Sequence, residues 1–338
     1  MNTITRLAPI GALLVALAAC DDWTEPKAEQ KTTWSNSEVA KTETYYEALR
    51  EWKKTPHSIM FGWFQGWSEP GAVVGLSLDA VPDSFDIVSL WDNASGVPEA
   101  RMRDLRCVQQ VKGTKVVKCS FCRWVGQGYT PREHDVDEPT RNAYWGFGET
   151  RESREEAVRR YARAILDTVA FYGYDGFDID FEPNYGAGGN LASDNGLMHV
   201  FITELATRLG PKSPNPETLL IVDGEPQTLN AESGPYLSYY VIQAYWPGNR
   251  FEGRLSELIA KFDEVETPEE ITNKCVMTEN LQSGADRSHI MNFARWQPQN
   301  GFRKGGIGGY QFQYLASDDY SYIRRSIQIM NPAPIGNY

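Results

Sequence analysis

Asp178, Asp180 and Glu182 occupy every second position of the run Tyr174-Asp175-Gly176-Phe177-Asp178-Ile179-Asp180-Phe181-Glu182-Pro183. In an extended strand alternate side chains share a face, so the three carboxyls form a column with a step of about 7 Å, and Phe177, Ile179 and Phe181 take the other face. A column of carboxyls inside a protein cannot ionise at every position, and at least one must hold its proton to higher pH. A carboxylic acid still protonated near neutrality is what a general acid needs. The run also admits a metal site or a solvated edge strand. The apolar alternation argues against an edge strand, and a calcium site draws its oxygens from a loop.

A second pair stands in Tyr239-Tyr240-Val241-Ile242-Gln243-Ala244-Tyr245-Trp246, where Gln243 and Tyr245 share a face. They are either site residues or ordinary polar residues of a barrel interior.

These runs need a frame. Strand-like segments fall at 58–64, 85–90, 115–123, 176–181, 218–223, 239–245, 274–279 and 308–314. Helical segments at 35–54, 98–108, 153–171, 194–209, 253–262, 288–296 and 318–330 separate most of them. The clearest, 153–171, shows Ser153 to Glu156 as a capping box and a stripe of Ala157, Tyr161, Ile165 and Val169. Alternation of strand and helix implies parallel strands, and eight units in one unbroken segment predict a (β/α)8 TIM barrel, α/β in class. An open doubly wound sheet is the alternative, but no glycine-rich phosphate loop follows a strand. In a barrel the carboxyl column points inward, rising to the C-terminal mouth where barrel enzymes place their sites.

Aromatic residues gather at the strand ends: Trp63 and Trp67, Trp91, Trp124, Tyr185 and Trp246. The chain holds 10 Trp, 17 Tyr and 14 Phe, more than a core requires. Aromatic faces pack on the C–H faces of sugars, so the set predicts a glycan groove. The chain has 338 residues, is 41% hydrophobic and carries a net charge of −12, which gives no general electrostatic basis for holding nucleic acid.

The segment Asp175 to Glu182 resembles the Asp-Gly-x-Asp-x-Asp-x-Glu signature of glycoside hydrolase family 18, in full and on the same strand of the barrel. The resemblance extends over residues 55–335. It implies Glu182 as general acid/base, Asp180 as the residue that orients and stabilises the 2-acetamido group of the substrate, and Asp178 as its electrostatic support. Asp175 would be structural. The implied reaction is retaining without a protein nucleophile: the acetamido oxygen attacks its own anomeric carbon and an oxazolinium forms. Neither a metal nor a cofactor is implied.

Gln243-x-Tyr245 resembles the endo-β-N-acetylglucosaminidase branch, with Tyr245 bonding the acetamido oxygen and Gln243 helping to hold that group. The expected activity is hydrolysis of the β-1,4 bond in the GlcNAc-GlcNAc core of N-linked glycans. An endo-chitinase and a non-catalytic glycan-binding lipoprotein are the alternatives. Two departures from the family stand out. The last strand has no Trp, leaving Tyr310 or Phe312 as the floor under the cleaved sugar, and the third strand lacks the usual Ser-x-Gly-Gly run.

Residues 1–19 read as a lipoprotein signal peptide ending at Leu17-Ala18-Ala19, with Cys20 lipidated, 20–35 as a flexible tether and 36–338 as the catalytic domain. A plain secretory signal with an incidental Cys is the alternative. Asp21 and Asp22 resemble the export signal of surface lipoproteins in some Gram-negative gut bacteria, or they simply begin a solvated tether. The expectation is an outer-membrane lipoprotein, cell-surface exposed or on the periplasmic face, held by its lipid, monomeric, with N-glycan or glycoprotein as its partner. Cys119 and Cys122, at i and i+3 of a strand, face opposite ways and are poor partners for each other, and one CxxC without a second gives a zinc site weak support. Pairs are open to Cys107, Cys119, Cys122 and Cys275 in an oxidising compartment, but the four read as buried free thiols.

Overall fold

The computed structural model describes residues 41–91, 96–185, 188–245 and 250–332. The lipidation site Cys20, the signal and the tether lie outside them, as does Trp246. Among the described residues no helix is long and apolar enough to cross a membrane.

Eight parallel strands close into a barrel in sequence order. They are β1 (Ile59–Phe64), β2 (Ile87–Leu90), β3 (Lys115–Phe121), β4 (Gly176–Phe181), β5 (Leu219–Gly224), β6 (Tyr239–Gln243), β7 (Cys275–Asn280) and β8 (Gly306–Tyr310). All eight expected strands are present. Closure is made by β1 on β8, from Ile59 opposite Gly306 to Trp63 opposite Tyr310. The approach is tight, since a Cβ on Gly306 would lie 2.2 Å from the Ile59 carbonyl oxygen.

The helices are α1 (Glu43–Lys53), α2 (Glu99–Cys107), α3 (Glu138–Trp145), α4 (Arg151–Tyr172), α5 (Asn195–Leu205), α6 (Phe251–Phe262), α7 (Pro268–Lys274), α8 (Ile290–Arg295) and α9 (Ser321–Met330). Helices α3 and α7 are additions to the expected set. The stripe Ala157, Tyr161, Ile165 and Val169 of α4 is buried as anticipated. Its cap is not Ser153: Thr150 accepts from the Ser153 amide, and the helix begins two residues earlier than the periodicity suggests.

Strand alternation divides the core. Phe177, Ile179 and Phe181 join the large outer cluster beneath the helices. Ile59, Phe61, Trp63, Ile87, Val117, Cys119, Ile221, Val241 and Val276 form a smaller cluster inside the barrel. Asp178 and Asp180 point into that inner space and are buried. Asp175 sits at the start of β4, where its Oδ2 accepts from the Val116 amide at 2.8 Å and from Gln109 Nε2 at 2.7 Å, a structural tie between neighbouring strands.

Strand β8 ends at Tyr310 rather than at residue 314. Gln311 takes a left-handed conformation, and a 3-10 turn follows over Phe312–Asp318. The turn sends Phe312 outward under Gly62 and onto Phe85, with ring centroids 4.5 Å apart. All four described cysteines are free; Cys119, Cys122 and Cys275 are buried, but Cys107, at the end of α2, is exposed, contrary to expectation.

Candidate active site

A cavity of about 520 Å³ opens at the C-terminal end of the barrel. Acidic residues Asp180, Glu182, Asp223 and Glu225 and the aromatic residues Trp63, Trp91, Tyr185 and Tyr310 line it. Gln243 and Tyr245 complete one side, with Phe121, Gln227 and Arg254 around them. Such a volume suits a small number of sugar rings.

The carboxyl column runs down from this cavity into the barrel. Asp178 is the deepest. Its Oδ2 accepts from Ser89 Oγ at 2.6 Å and from Trp63 Nε1 at 3.1 Å. Burial raises its carboxyl to about 6 against those donors. Asp180 sits one step higher. Burial, with Glu182 and Asp178 beside it, pushes it well above the ordinary carboxylate range. This is the rise that a column of carboxyls must show.

Glu182 lies just beyond β4, at the mouth. Its Oε1 accepts from Gln243 Nε2 at 2.7 Å, and Arg123 lies 3.5 Å from its Oε2. Two elements on opposite sides thus fix its carboxyl plane. Gly224 makes the room: at φ +94 it holds a backbone few other residues adopt, and a Cβ there would lie 3.0 Å from Glu182 Cγ.

Tyr245 stands beyond β6, with its ring centroid 6.2 Å from Tyr310. Burial pushes its phenol well above its usual pKa, so it stays a hydrogen-bond donor. Tyr310 also meets Trp63 at 6.3 Å and Trp91 at 6.5 Å. Of the two candidates for the floor, Tyr310 is in the cavity and Phe312 is in the outer core.

Two expected sugar-binding residues stand elsewhere. Trp67 is buried, donates to Asp104 Oδ2 at 2.8 Å and lies under Arg101; it packs the loop after β1 and does not line the cavity. Trp124 is half-buried and also outside the cavity lining. Gln127 Oε1 accepts from the amides of both Arg123 and Trp124, which turns the chain so that Arg123 reaches Glu182.

Asp223 is the residue that sequence reasoning missed. It pairs in register with Asp180, is 1% exposed, and lies 3.4 Å from Gln243 Nε2. Burial, then Asp180, Asp178 and Glu182, raises its carboxyl well above the ordinary range. The signal was present, for an acid ends the predicted strand 218–223. Arg123 had no comparable signal, because its place depends on a loop.

A family model described as glycoside hydrolase family 18, BT1044-like, matches residues 22–329. A selenomethionine Glu-to-Gln variant of BT1044 is 30% identical, with 88% of this chain and 94% of that chain covered and a TM-score of 0.73. An Asp-to-Asn/Glu-to-Gln double variant of an endo-β-N-acetylglucosaminidase from Cordyceps militaris, in complex with fucosyl-N-acetylglucosamine-Asn, is 23% identical over 86% of this chain and 97% of that one, with a TM-score of 0.62. A family 18 chitinase from Pseudoalteromonas aurantia is 15% identical over 80% and 100%, with a TM-score of 0.53. The last two likenesses concern the fold alone. Comparison with curated proteins gave no match.

Proposed function

Since the chain belongs to glycoside hydrolase family 18, in its BT1044-like group, we propose that it is an endo-β-N-acetylglucosaminidase acting on the GlcNAc-GlcNAc core of N-linked glycans. The observation that carries this reading is the Gln243–Glu182 contact at 2.7 Å, which joins the signature acid of β4 to the Gln-x-Tyr pair of β6. It is the pair, rather than the acids, that favours this branch over an endo-chitinase.

In this reading Glu182 protonates the glycosidic oxygen as the bond to C1 breaks. The acetamido oxygen of the same sugar closes onto C1 from the other face. Tyr245, held protonated by burial, donates to that oxygen and aligns it. Asp180 accepts from the acetamido N–H and opposes the positive charge that develops there. Asp178, anchored by Ser89 and Trp63, keeps Asp180 in place and adds negative potential. Glu182, now a carboxylate, takes a proton from water, which opens the oxazolinium from the original leaving side. The β configuration is retained. Trp63, Trp91, Tyr185 and Tyr310 supply the aromatic walls against sugar faces.

The N-terminal reading belongs to the same proposal. Cys20 carries lipid, the segment to residue 35 is a spacer, and the barrel works at the outer membrane, releasing the glycan and leaving one GlcNAc on the protein.

The decisive experiment is mass spectrometry of a high-mannose and a complex-type glycoprotein after incubation with wild-type protein and with Glu182→Gln. Single-GlcNAc stubs with wild type alone support the reading. No cleavage of either substrate, with glycan binding retained, would instead indicate a non-catalytic receptor on the same barrel.

A further inference from the structure

Cys119 of β3, Asp180 of β4 and Asp223 of β5 each offer one ligand atom beneath the cavity floor, and these three atoms lie within 4.8 Å of one another. The sulfur is already 3.8 Å from Asp223 Oδ2. Cys119 is 3% exposed and the two carboxyls 1% each.

Two buried oxygens, one within the cluster and one beside it, point to a ligand. Asp180 Oδ1 is buried and accepts no hydrogen bond, and neither does Asp178 Oδ1, which belongs to a wholly buried side chain. Asp178 stands opposite Cys119 in register and its side chain is within hydrogen-bonding reach of both Asp223 and Cys119, so it borders the cluster. Buried acceptors left without donors are rare and cost stability. The positive charges nearest the cluster are Arg123, paired with Glu182 above it, and Lys118, the residue before Cys119 on β3.

We propose that Cys119, Asp180 and Asp223 form an inhibitory site for a borderline divalent transition metal, with zinc as the type. One thiolate and two carboxylates suit zinc or cobalt, whereas magnesium and calcium prefer oxygen alone. Asp180 and Asp223 line the cavity, so an ion reaches them from the sugar side and its fourth position stays open to solvent. On binding, a metal–sulfur bond forms and the thiol proton leaves to water, together with any protons the two carboxyls hold. Affinity therefore falls as pH falls. A metal-bound Asp180 cannot accept an acetamido N–H, so occupancy and turnover exclude each other. The inhibitory consequence rests on the function proposed above; the binding does not.

The test uses Co2+ as a spectroscopic probe on the intact protein. Wild type is expected to show a saturable thiolate-to-cobalt charge-transfer band that Zn2+ displaces and Ca2+ does not. Cys119→Ala should lose the band and weaken Co2+ binding by more than the roughly 10–100-fold that loss of a mere outer partner costs. In glycan cleavage, Zn2+ should inhibit wild type reversibly, with activity restored by chelation, and Cys119→Ala should resist the same Zn2+. Cys119→Ser serves if the alanine variant does not fold. Absence of the band in folded wild type, or equal Zn2+ inhibition of the Cys119 variant, would overturn the proposal. A protein that shows the band when Co2+ is added but, free of metal, never cleaves glycan would overturn the function and leave the site standing.

Discussion

Gln243 Nε2 lies 2.7 Å from Glu182 Oε1 and 3.4 Å from Asp223 Oδ1, so one amide spans the mouth carboxyl and the acid buried next to it. A hydrogen bond to a charged group contributes about 1.5–3 kcal/mol, equivalent to roughly 10–100-fold in rate if it is needed only in the transition state. Gln243→Ala should lower kcat by that order with little change in thermal stability. Steady-state kinetics on a glycopeptide beside a melting curve decide it; an unchanged kcat would remove Gln243 from the mechanism.

Glu182→Gln should remove the proton that the leaving oxygen needs. A positioned general acid contributes about 10²–10⁴-fold. The variant should lose at least that while still binding the glycan, as measured by calorimetry. Turnover close to wild type would sink the assignment.

Gly224→Ala tests the packing behind Glu182. The left-handed backbone alone costs an alanine about 1–2 kcal/mol. The added Cβ would also meet the Phe181 carbonyl oxygen at 2.5 Å and Glu182 Cγ at 3.0 Å. The variant should melt lower and lose kcat together, because the Phe181 carbonyl that must shift belongs to the residue before the acid Glu182. A loss of stability with kcat intact would show that Glu182 tolerates the shift.

The buried carboxyls should make stability fall as pH rises. Burial raises Asp178 to about 6, and Asp180 and Asp223 shift in the same direction. A carboxyl with a raised folded-state pKa binds its proton more tightly when folded. Its stabilising contribution is complete below the unfolded value near 4 and is lost as pH climbs through the folded value. Asp178→Asn should therefore gain stability relative to wild type between pH 4 and pH 7, by the order of 1–3 kcal/mol. Urea denaturation across that range measures the difference; parallel curves would mean that Asp178 does not titrate in this window.

Trp67→Phe and Tyr310→Ala separate packing from binding. Trp67 donates to buried Asp104 at 2.8 Å, away from the cavity. Its loss should lower the melting temperature and leave KM unchanged. Tyr310→Ala should raise KM with a smaller effect on stability. The reverse pattern would return Trp67 to the binding groove.

How much of this was legible in the chain depends on how local each feature is. Alternation along one strand needs no partner, so the placement of Asp178 and Asp180 inside the barrel, with Phe177, Ile179 and Phe181 under the helices, followed from residue order alone. The eight strands and the stripe of α4 are equally local, and the spacing of Gln243 and Tyr245 placed them together at the mouth. Lateral relations are not local. That Asp223 meets Asp180 depends on the register of β5 on β4. That Arg123 rather than Trp124 reaches Glu182 depends on one carboxamide, Gln127, which bends the chain after β3. That Tyr310 faces the cavity while Phe312 leaves it depends on the left-handed turn at Gln311. Trp63 and Trp67 are four residues apart and equally aromatic, yet one lies over the acids and the other under a loop. Strand periodicity is set by the backbone and is written in the sequence. Register, loop course and the neighbours of a side chain are set by closure of the whole barrel, and only the tertiary structure decides them.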